Sequence, residues 1–364
     1  MTDFAADIVP AVKPAPRSRT WRAALWLGAV GLLIAFPFAV DEYWIKSIAL
    51  PTLIFGLAAL GLNVVVGAAG QISMGQAAFM AVGAFVGAIA YGRYGLPLPL
   101  ALLAAGASSA LVGALVGLPS RRIRGLYLMV STLAAQVVVI WLMQRIPWFG
   151  ATSHGILSIP KLSLGPLALD GTHAKYWLTL AVVAPLTLFA ANLLRSPVGR
   201  AWIAIREREI AAEVLGVAAL RHKLIAFAVS GFYAGVAGAL VTFAWTGAAT
   251  IEEYRLELSV KLLGMIIIGG LGSVIGSYLG AAFIALTPIV LSIALHRGAD
   301  ALGGAVNAAT LANAEHLIFG LLIVAFLIAE PHGLARLVER AGTAASNALR
   351  RVIRRPGPNQ ETEQ

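Results

Sequence analysis

The stretch GLNVVVGAAGQISMGQAAF, residues 61–79, decides how this chain folds. Its surroundings are apolar, yet it holds Asn63, Gln71, Ser73 and Gln76 together with glycines at 61, 67, 70 and 75. It lies inside a longer run, residues 47–92, that has no charged side chain. As a single helix these 46 residues would measure about 69 Å, against a hydrocarbon core of about 30 Å. The lengths therefore predict two membrane crossings joined at a glycine-broken stretch near 67–75. A second uncharged run, 262–295, would form about 51 Å of helix, too much for one upright crossing. It breaks near 269–276, where Gly269, Gly270, Gly272 and Gly276 surround Ser273.

Composition sets the class. Of 364 residues 59% are hydrophobic and only 12% charged, whereas a soluble domain carries about 25% charged residues. So little charge does not cover a water-facing surface, and the chain reads as an all-α, multi-pass integral membrane protein. Apolar spans fall at about 21–40, 44–67, 71–92, 96–118, 125–146, 176–194, 224–247, 258–271, 273–294 and 314–330, which gives about ten transmembrane segments, within a range of 8–10. The transmembrane domain is then 21–335, between an N-terminal tail of 1–20 and a basic C-terminal tail of 336–364. The first 20 residues contain acids and prolines and lack an early apolar core, so they read as a tail rather than a cleavable signal.

The net charge of +10 is unevenly placed: 19 of the 27 Lys and Arg lie in 13–22, in 121–124, in 195–223 and in 336–355. Short basic loops mark the cytosolic side, and with ten crossings all four clusters, and both termini, fall there. Their partner is anionic lipid, not nucleic acid. The segment 147–175 is polar and proline-broken, and is expected on the periplasmic side. With no cysteine there is no disulfide or thiolate chemistry. The six histidines are scattered; no phosphate loop, HExxH or nucleophile elbow occurs, so neither a metal site nor catalytic residues are nominated, and the chain is not read as an enzyme.

Neither glycine-rich break carries the Lys or Arg of an ordinary cytosolic turn, which places both in protein or along a cavity. Paired glycine-interrupted segments point to the substrate region of a transporter. The candidate pathway residues are Asn63, Gln71, Ser73, Gln76, Gly269, Gly270, Gly272 and Ser273. A helix restarting near Gln71 would leave N–H groups at its positive end for an anionic group such as a carboxylate. The same side chains also suit hydrogen bonding between helices, and spacing does not separate the two roles. Glycines four apart (Gly83 and Gly87, Gly113 and Gly117, Gly231 and Gly235, Gly276 and Gly280) predict close helix packing. No carboxylate lies at a span centre, which disfavours a proton relay; sodium coupling through carbonyls stays open.

Within 195–223, Ser196 is placed to cap a helix with Pro197 at its first position, and Gly216 to end it. Val198, Trp202 and Ile205 recur at helical spacing among Arg200, Arg206, Glu207, Arg208, Glu209 and Glu213. Such a helix lies along the membrane face, as a linker or as a docking element for a soluble partner.

Five stretches, in order, resemble the permease subunits of branched-chain amino acid ATP-binding-cassette importers, the LivM type more than LivH. They are 61–85, RIRGLYLMVSTLA (122–134), SPVGRAWIAIREREIAAEVLGVAALRHKLIAFAVSGFYAGVAGAL (196–240), SVKLLGMIIIGGLGSVIGSYLGA (259–281) and IFGLLIVAFLIAEPHGL (318–334). The resemblance implies a bacterial inner-membrane importer with a second, LivH-like permease, two cytosolic ATPases and a periplasmic binding protein. ATP and Mg are then used by the ATPases, and this chain binds no cofactor. The 196–216 helix corresponds to the coupling element, a variant of the "EAA…G" loop matched by Ala211, Ala212 and Gly216. Arg200, Arg206, Glu207, Glu209 and Glu213 complete the coupling set. Ile210 stands at the glutamate position of that pattern, Gln76 where relatives carry His, and Lys261 where an acid is common. The alternative is an ion-coupled secondary transporter of small polar solutes, which a solitary gene would favour.

Overall fold

The structure, a computed structural model, describes residues 36–37, 40–149, 156–160, 162–164, 167–168, 171–301 and scattered positions between 318 and 338. The helices belong to one of two units, Asp41–Val338. A helical rod, Glu42–Ala68, contains α1 (Leu50–Asn63) between two π-helical turns, Ile45–Ala49 and Val64–Ala68. Then come α2 (Gln76–Gly92), α3 (Leu98–Gly117), α4 (Leu126–Arg145), α5 (Thr172–Arg195), α6 (Pro197–Val214) and α7 (Ala219–Leu240). A third π turn, Val241–Thr246, ends α7, and α8 (Leu256–Gly269) and α9 (Val274–Ala301) follow.

Among the described residues six helices are long and apolar enough to cross a membrane: the rod, Leu98–Arg121, α4, α5, Ala219–Thr246 and Val274–Leu295. Six of the ten expected spans are among them. The spans drawn at 71–92 and 258–271 are helices of 17 and 14 residues, about 25 and 21 Å long, because the backbone between the crossings is not helical. The spans at 21–40 and 314–330, and both tails, lie almost wholly outside the described residues.

The chain alternates between two faces. One carries the basic segments 121–124 and 195–223, and both glycine-rich breaks lie on it. The other carries the loops before α3, α5 and α8, where strand β1 (Ile156–Ser158) pairs antiparallel with β4 (Ala248–Thr250), alongside a small ladder of β2 (Ser163–Leu164) and β3 (Leu167–Ala168). The rod and α7 form the centre; α4 and α5 turn most of their surface outward. Their outward residues are apolar, among them Val137, Val138, Trp141, Leu188 and Phe189, the arrangement expected when the surrounding medium is lipid.

Glycine sets the central helix spacing, as the four-residue repeats predict. A Cβ on Gly83 would strike the backbone of Gly235, and one on Gly238 the carbonyl of Met80, so α2 and α7 meet backbone to backbone. Gly276 and Gly280 do the same for α9 against Gly269 and Met265 of α8. Gly83→Ala is therefore expected to part α2 from α7 at a cost of about 1–3 kcal/mol, read as a lower thermal midpoint of the chain purified in detergent.

Candidate functional site

The two breaks are in contact, and one asparagine joins them. Asn63 stands on the rod just before its last π turn, buried, and its amide spans the gap to the loop between α8 and α9. Nδ2 donates to the Ser273 carbonyl at 3.0 Å and to the Ser277 hydroxyl at 2.9 Å, while Oδ1 accepts the Gly272 N–H at 2.7 Å. Ser273 in turn accepts the Gly276 N–H at 3.0 Å, closing the first turn of α9. Gly272 takes the left-handed φ of +80° that this loop requires. Gly269 and Gly270 are buried beneath it, and Gly333 packs against Gly270.

Arg206 reaches the same junction from α6. Its guanidinium donates to the Gly67 carbonyl at the end of the rod. Its stem lies on Gly70, where an added Cβ would come within 2.8 Å of Cγ and where φ is +69°. A Cβ on Gly272 would stand 4.0 Å from the guanidinium. The breaks lack their own cation, and α6 supplies one.

Residues 69–75 are not helical; they return from the end of the rod to its middle. Gln76 fixes the height reached. Its Nε2 donates to the Ala58 carbonyl at 3.0 Å, and its Oε1 accepts from Ser230 of α7 at 3.0 Å. Ala58 lies ten residues before Ala68, about 15 Å along the rod, a distance within the reach of seven non-helical residues. The helix therefore restarts at Gln76, not near Gln71. Its expected supply of N–H donors is partly taken: Met74 N–H goes to Thr132 Oγ1 at 2.9 Å, Gly75 N–H to Ser73 Oγ at 3.3 Å and Ala77 N–H to Ser259 Oγ at 2.9 Å. Ser259 passes its own proton to Gln136 Oε1 at 2.7 Å. Gln71 folds back onto the Ala69 carbonyl at 3.1 Å. These side chains satisfy buried backbone where a bilayer offers no water.

The helix α6 forms as its caps predict, with Ser196 Oγ accepting the Gly199 N–H at 3.4 Å, Pro197 at its first position and Gly216 beyond its end at φ +90°. It is broken at Arg208, whose φ and ψ of −151° and 92° are extended. Trp202, fully buried, donates from Nε1 to the His222 carbonyl at 2.8 Å and packs with Val64, Val65, Ala68 and Phe227. Glu209 also faces inward. Its Oε1 meets the Lys223 ammonium at 2.7 Å and its Oε2 the Arg124 Nε at 3.3 Å. Lys223 is only 1% exposed and donates as well to the Ser120 carbonyl at 3.3 Å.

The coupling set is thus divided. Arg206, Glu209 and Ala212 engage the bundle; Glu207, Ala211, Glu213, Gly216 and Arg200 stay exposed, Arg200 on the Arg195 carbonyl. Beside them project Ile210, Val214 and Leu215, 69, 82 and 84% exposed. Sequence reading passed over Lys223, Arg124 and this apolar trio. A signal existed: Glu209 is in helical phase with Trp202, Ile205 and Ala212, the buried face.

Residues 44–327 match the family described as "Branched-chain amino acid transport system / permease component". The chain belongs to this family. It is 35% identical over 301 residues, 76% of this chain and 70% of the relative, to the high-affinity branched-chain amino acid transport system permease protein LivM of Escherichia coli K12. It is 30% identical over 223 residues (58% of the chain, 63% of the relative) to the autoinducer 2 import system permease protein LsrC of an Enterobacter species. Over 182 residues (48 and 49%) it is 30% identical to the L-arabinose transport system permease protein AraH of E. coli K12. No solved structure matches it. Members of this family are permease subunits of ATP-binding-cassette transporters rather than enzymes, and this chain is one such subunit, working with others.

Proposed function

We propose that the chain forms half of the translocation path of a bacterial inner-membrane importer for branched-chain or related amino acids. The other half is a second, LivH-like permease; two cytosolic ATPases use ATP and Mg, and a periplasmic binding protein delivers the substrate. The identity to LivM over most of both chains supports the substrate class. In this reading the face carrying the basic segments is cytosolic, as the distribution of Lys and Arg favours. The segments 195–223 and 147–175 are then the cytosolic coupling and periplasmic pieces, and both termini are cytosolic.

The observation that carries the mechanism is the division of α6. Beyond Arg208 it offers an apolar trio to a soluble partner, since such a cluster exposed to water marks a docking site. Before Arg208 it holds the junction of the two breaks through Arg206. Movement of the docked half is thereby delivered to Asn63, Gly67, Gly270, Gly272 and Ser273, which act as the inner gate of the path, with Gln71, Ser73 and Gln76 lining and bracing the non-helical segment behind it. Val214→Asp with Leu215→Asp is expected to lower co-purification of the ATPases by roughly tenfold or more while the chain still inserts in the membrane. Undiminished association and uptake in that variant would remove α6 from the coupling role. ATP-driven leucine uptake by proteoliposomes holding all subunits tests the substrate class.

A further inference from the structure

On the face opposite the basic segments, a cavity of about 380 Å³ opens between the rod, the end of α7, α8 and α9, away from both breaks. That volume is in the range of small-molecule sites. Its walls are apolar: Phe55 of the rod meets Trp245 edge to face with ring centroids 5.7 Å apart, and Met265, Ile284 and Pro288 complete them. Two of the three π turns contribute lining residues, Ser47 and Val241 with Trp245. Such turns widen a helix and recur at functional sites.

The rim is charged. Glu252 and Arg255 pair with each other, which leaves Glu253, Glu257 and Lys261 lining the cavity with no ion pair or hydrogen bond to any described residue. Desolvation holds the Glu253 carboxyl above its ordinary range, the state that a neighbouring cation would relieve. Glu257 and Lys261 are four residues apart on α8, so they share a helix face one turn from each other. Met265 lies one further turn along, so anionic, cationic and apolar surfaces follow in order into the cavity, over about 12 Å.

We propose that this cavity is a binding site for a zwitterionic α-amino acid with an apolar side chain, its carboxylate on Lys261, its ammonium between Glu253 and Glu257, and its side chain against Phe55 and Trp245. The proposal rests on the importer reading above, in which this face is the one that receives substrate. The order of charges favours a ligand carrying both signs over a simple anion or cation, for which one sign on the rim would repel. A phosphatidylethanolamine headgroup presents the same pair of charges, and the experiment separates the two.

The chain contains no cysteine, so Ser47→Cys introduces a single thiol in this chain at the cavity wall. The complete complex, without binding protein and in phosphatidylglycerol nanodiscs, is labelled with a membrane-impermeant maleimide. L-leucine is expected to slow labelling, whereas leucinamide and 4-methylpentanoate, each lacking one charge, are not. Adding Lys261→Gln should raise the half-protecting leucine concentration by roughly tenfold or more, and Lys261→Arg should largely preserve it. Equal protection by all three compounds, no protection, or an unchanged concentration in Lys261→Gln overturns the site. Protection by phosphatidylethanolamine in the nanodisc but not by leucine assigns the cavity to lipid and overturns it as well. Uptake of leucine by the wild-type complex with its binding protein is measured alongside. Uptake without protection rejects this cavity alone; absence of both rejects the amino acid reading from which it follows.

Discussion

Glu209→Ala is expected to be the most damaging single change to the stability of this chain, at about 3–5 kcal/mol, the cost of leaving a buried ion without its partner. Lys223 is closed off from solvent, and among the described residues its ammonium has only the Glu209 carboxylate and the Ser120 carbonyl. Removing the carboxylate leaves one neutral acceptor for a full charge and frees Arg124 from α6. The loss is read as a drop in thermal midpoint of the purified chain. Adding Lys223→Met to Glu209→Ala should recover most of it, because an apolar replacement for both partners of a buried pair is close to neutral. Glu213→Ala, on the exposed side of the same helix, should melt with the wild type. A Glu209→Ala protein as stable as wild type, with no gain from the second substitution, would show that the cluster does not hold α6.

Asn63→Leu should abolish transport without dismantling the complex. The leucine matches the asparagine in size, but the Gly272 N–H, the Ser273 carbonyl and the Ser277 hydroxyl lose the amide that ties them to the rod. Ser277 retains the Ser273 carbonyl at 3.2 Å, so the heaviest loss falls on the Gly272 N–H, whose bond to the rod is worth about 0.5–1.5 kcal/mol. With the second break released, motion of α6 through Arg206 reaches only the rod. ATP hydrolysis by the reconstituted complex is expected to continue while substrate uptake falls by roughly tenfold or more. Arg206→Met, which cuts the connection at its other end, should give the same separation of hydrolysis from uptake. Wild-type uptake in both variants would remove the junction from the transport cycle.

The parts of this arrangement that depend on local chemistry were legible in the sequence. Length, set against bilayer thickness, placed both breaks. Ser196, Pro197 and Gly216 delimited α6, because a cap is decided by residues a few positions away. The restart of α2 at Gln76 was not legible, since the groups that satisfy 74–77 are Thr132 and Ser259, brought from α4 and α8 by folding. Apolar runs likewise did not show where helix begins and ends: hydropathy registers that 71–92 and 258–271 avoid water, not that the helices within them are 17 and 14 residues long. Glu209 misled for a different reason. A carboxylate in a charged, surface-lying helix is ordinarily solvated, and only its phase with Trp202 and Ile205 marked it as inward. Its cation, Lys223, sits on another helix.

The extended joint at Arg208 has a consequence for how such a protein changes over generations. It separates a stretch fixed by the bundle from one in which Glu209 and Ala212 face inward and the other side chains answer to whatever lies outside. Substitutions at Ile210, Val214 and Leu215 leave the packing of Trp202 and the ion cluster untouched, so the outer stretch is free to follow drift in a neighbouring subunit. An inner residue such as Arg206 has no such latitude, because the end of the rod and the Gly70 turn rest on it. Hybrid transporters made by exchanging residues 209–216 should therefore require that Glu209, Ala212 and the left-handed Gly216 be kept and leave the other positions open to replacement.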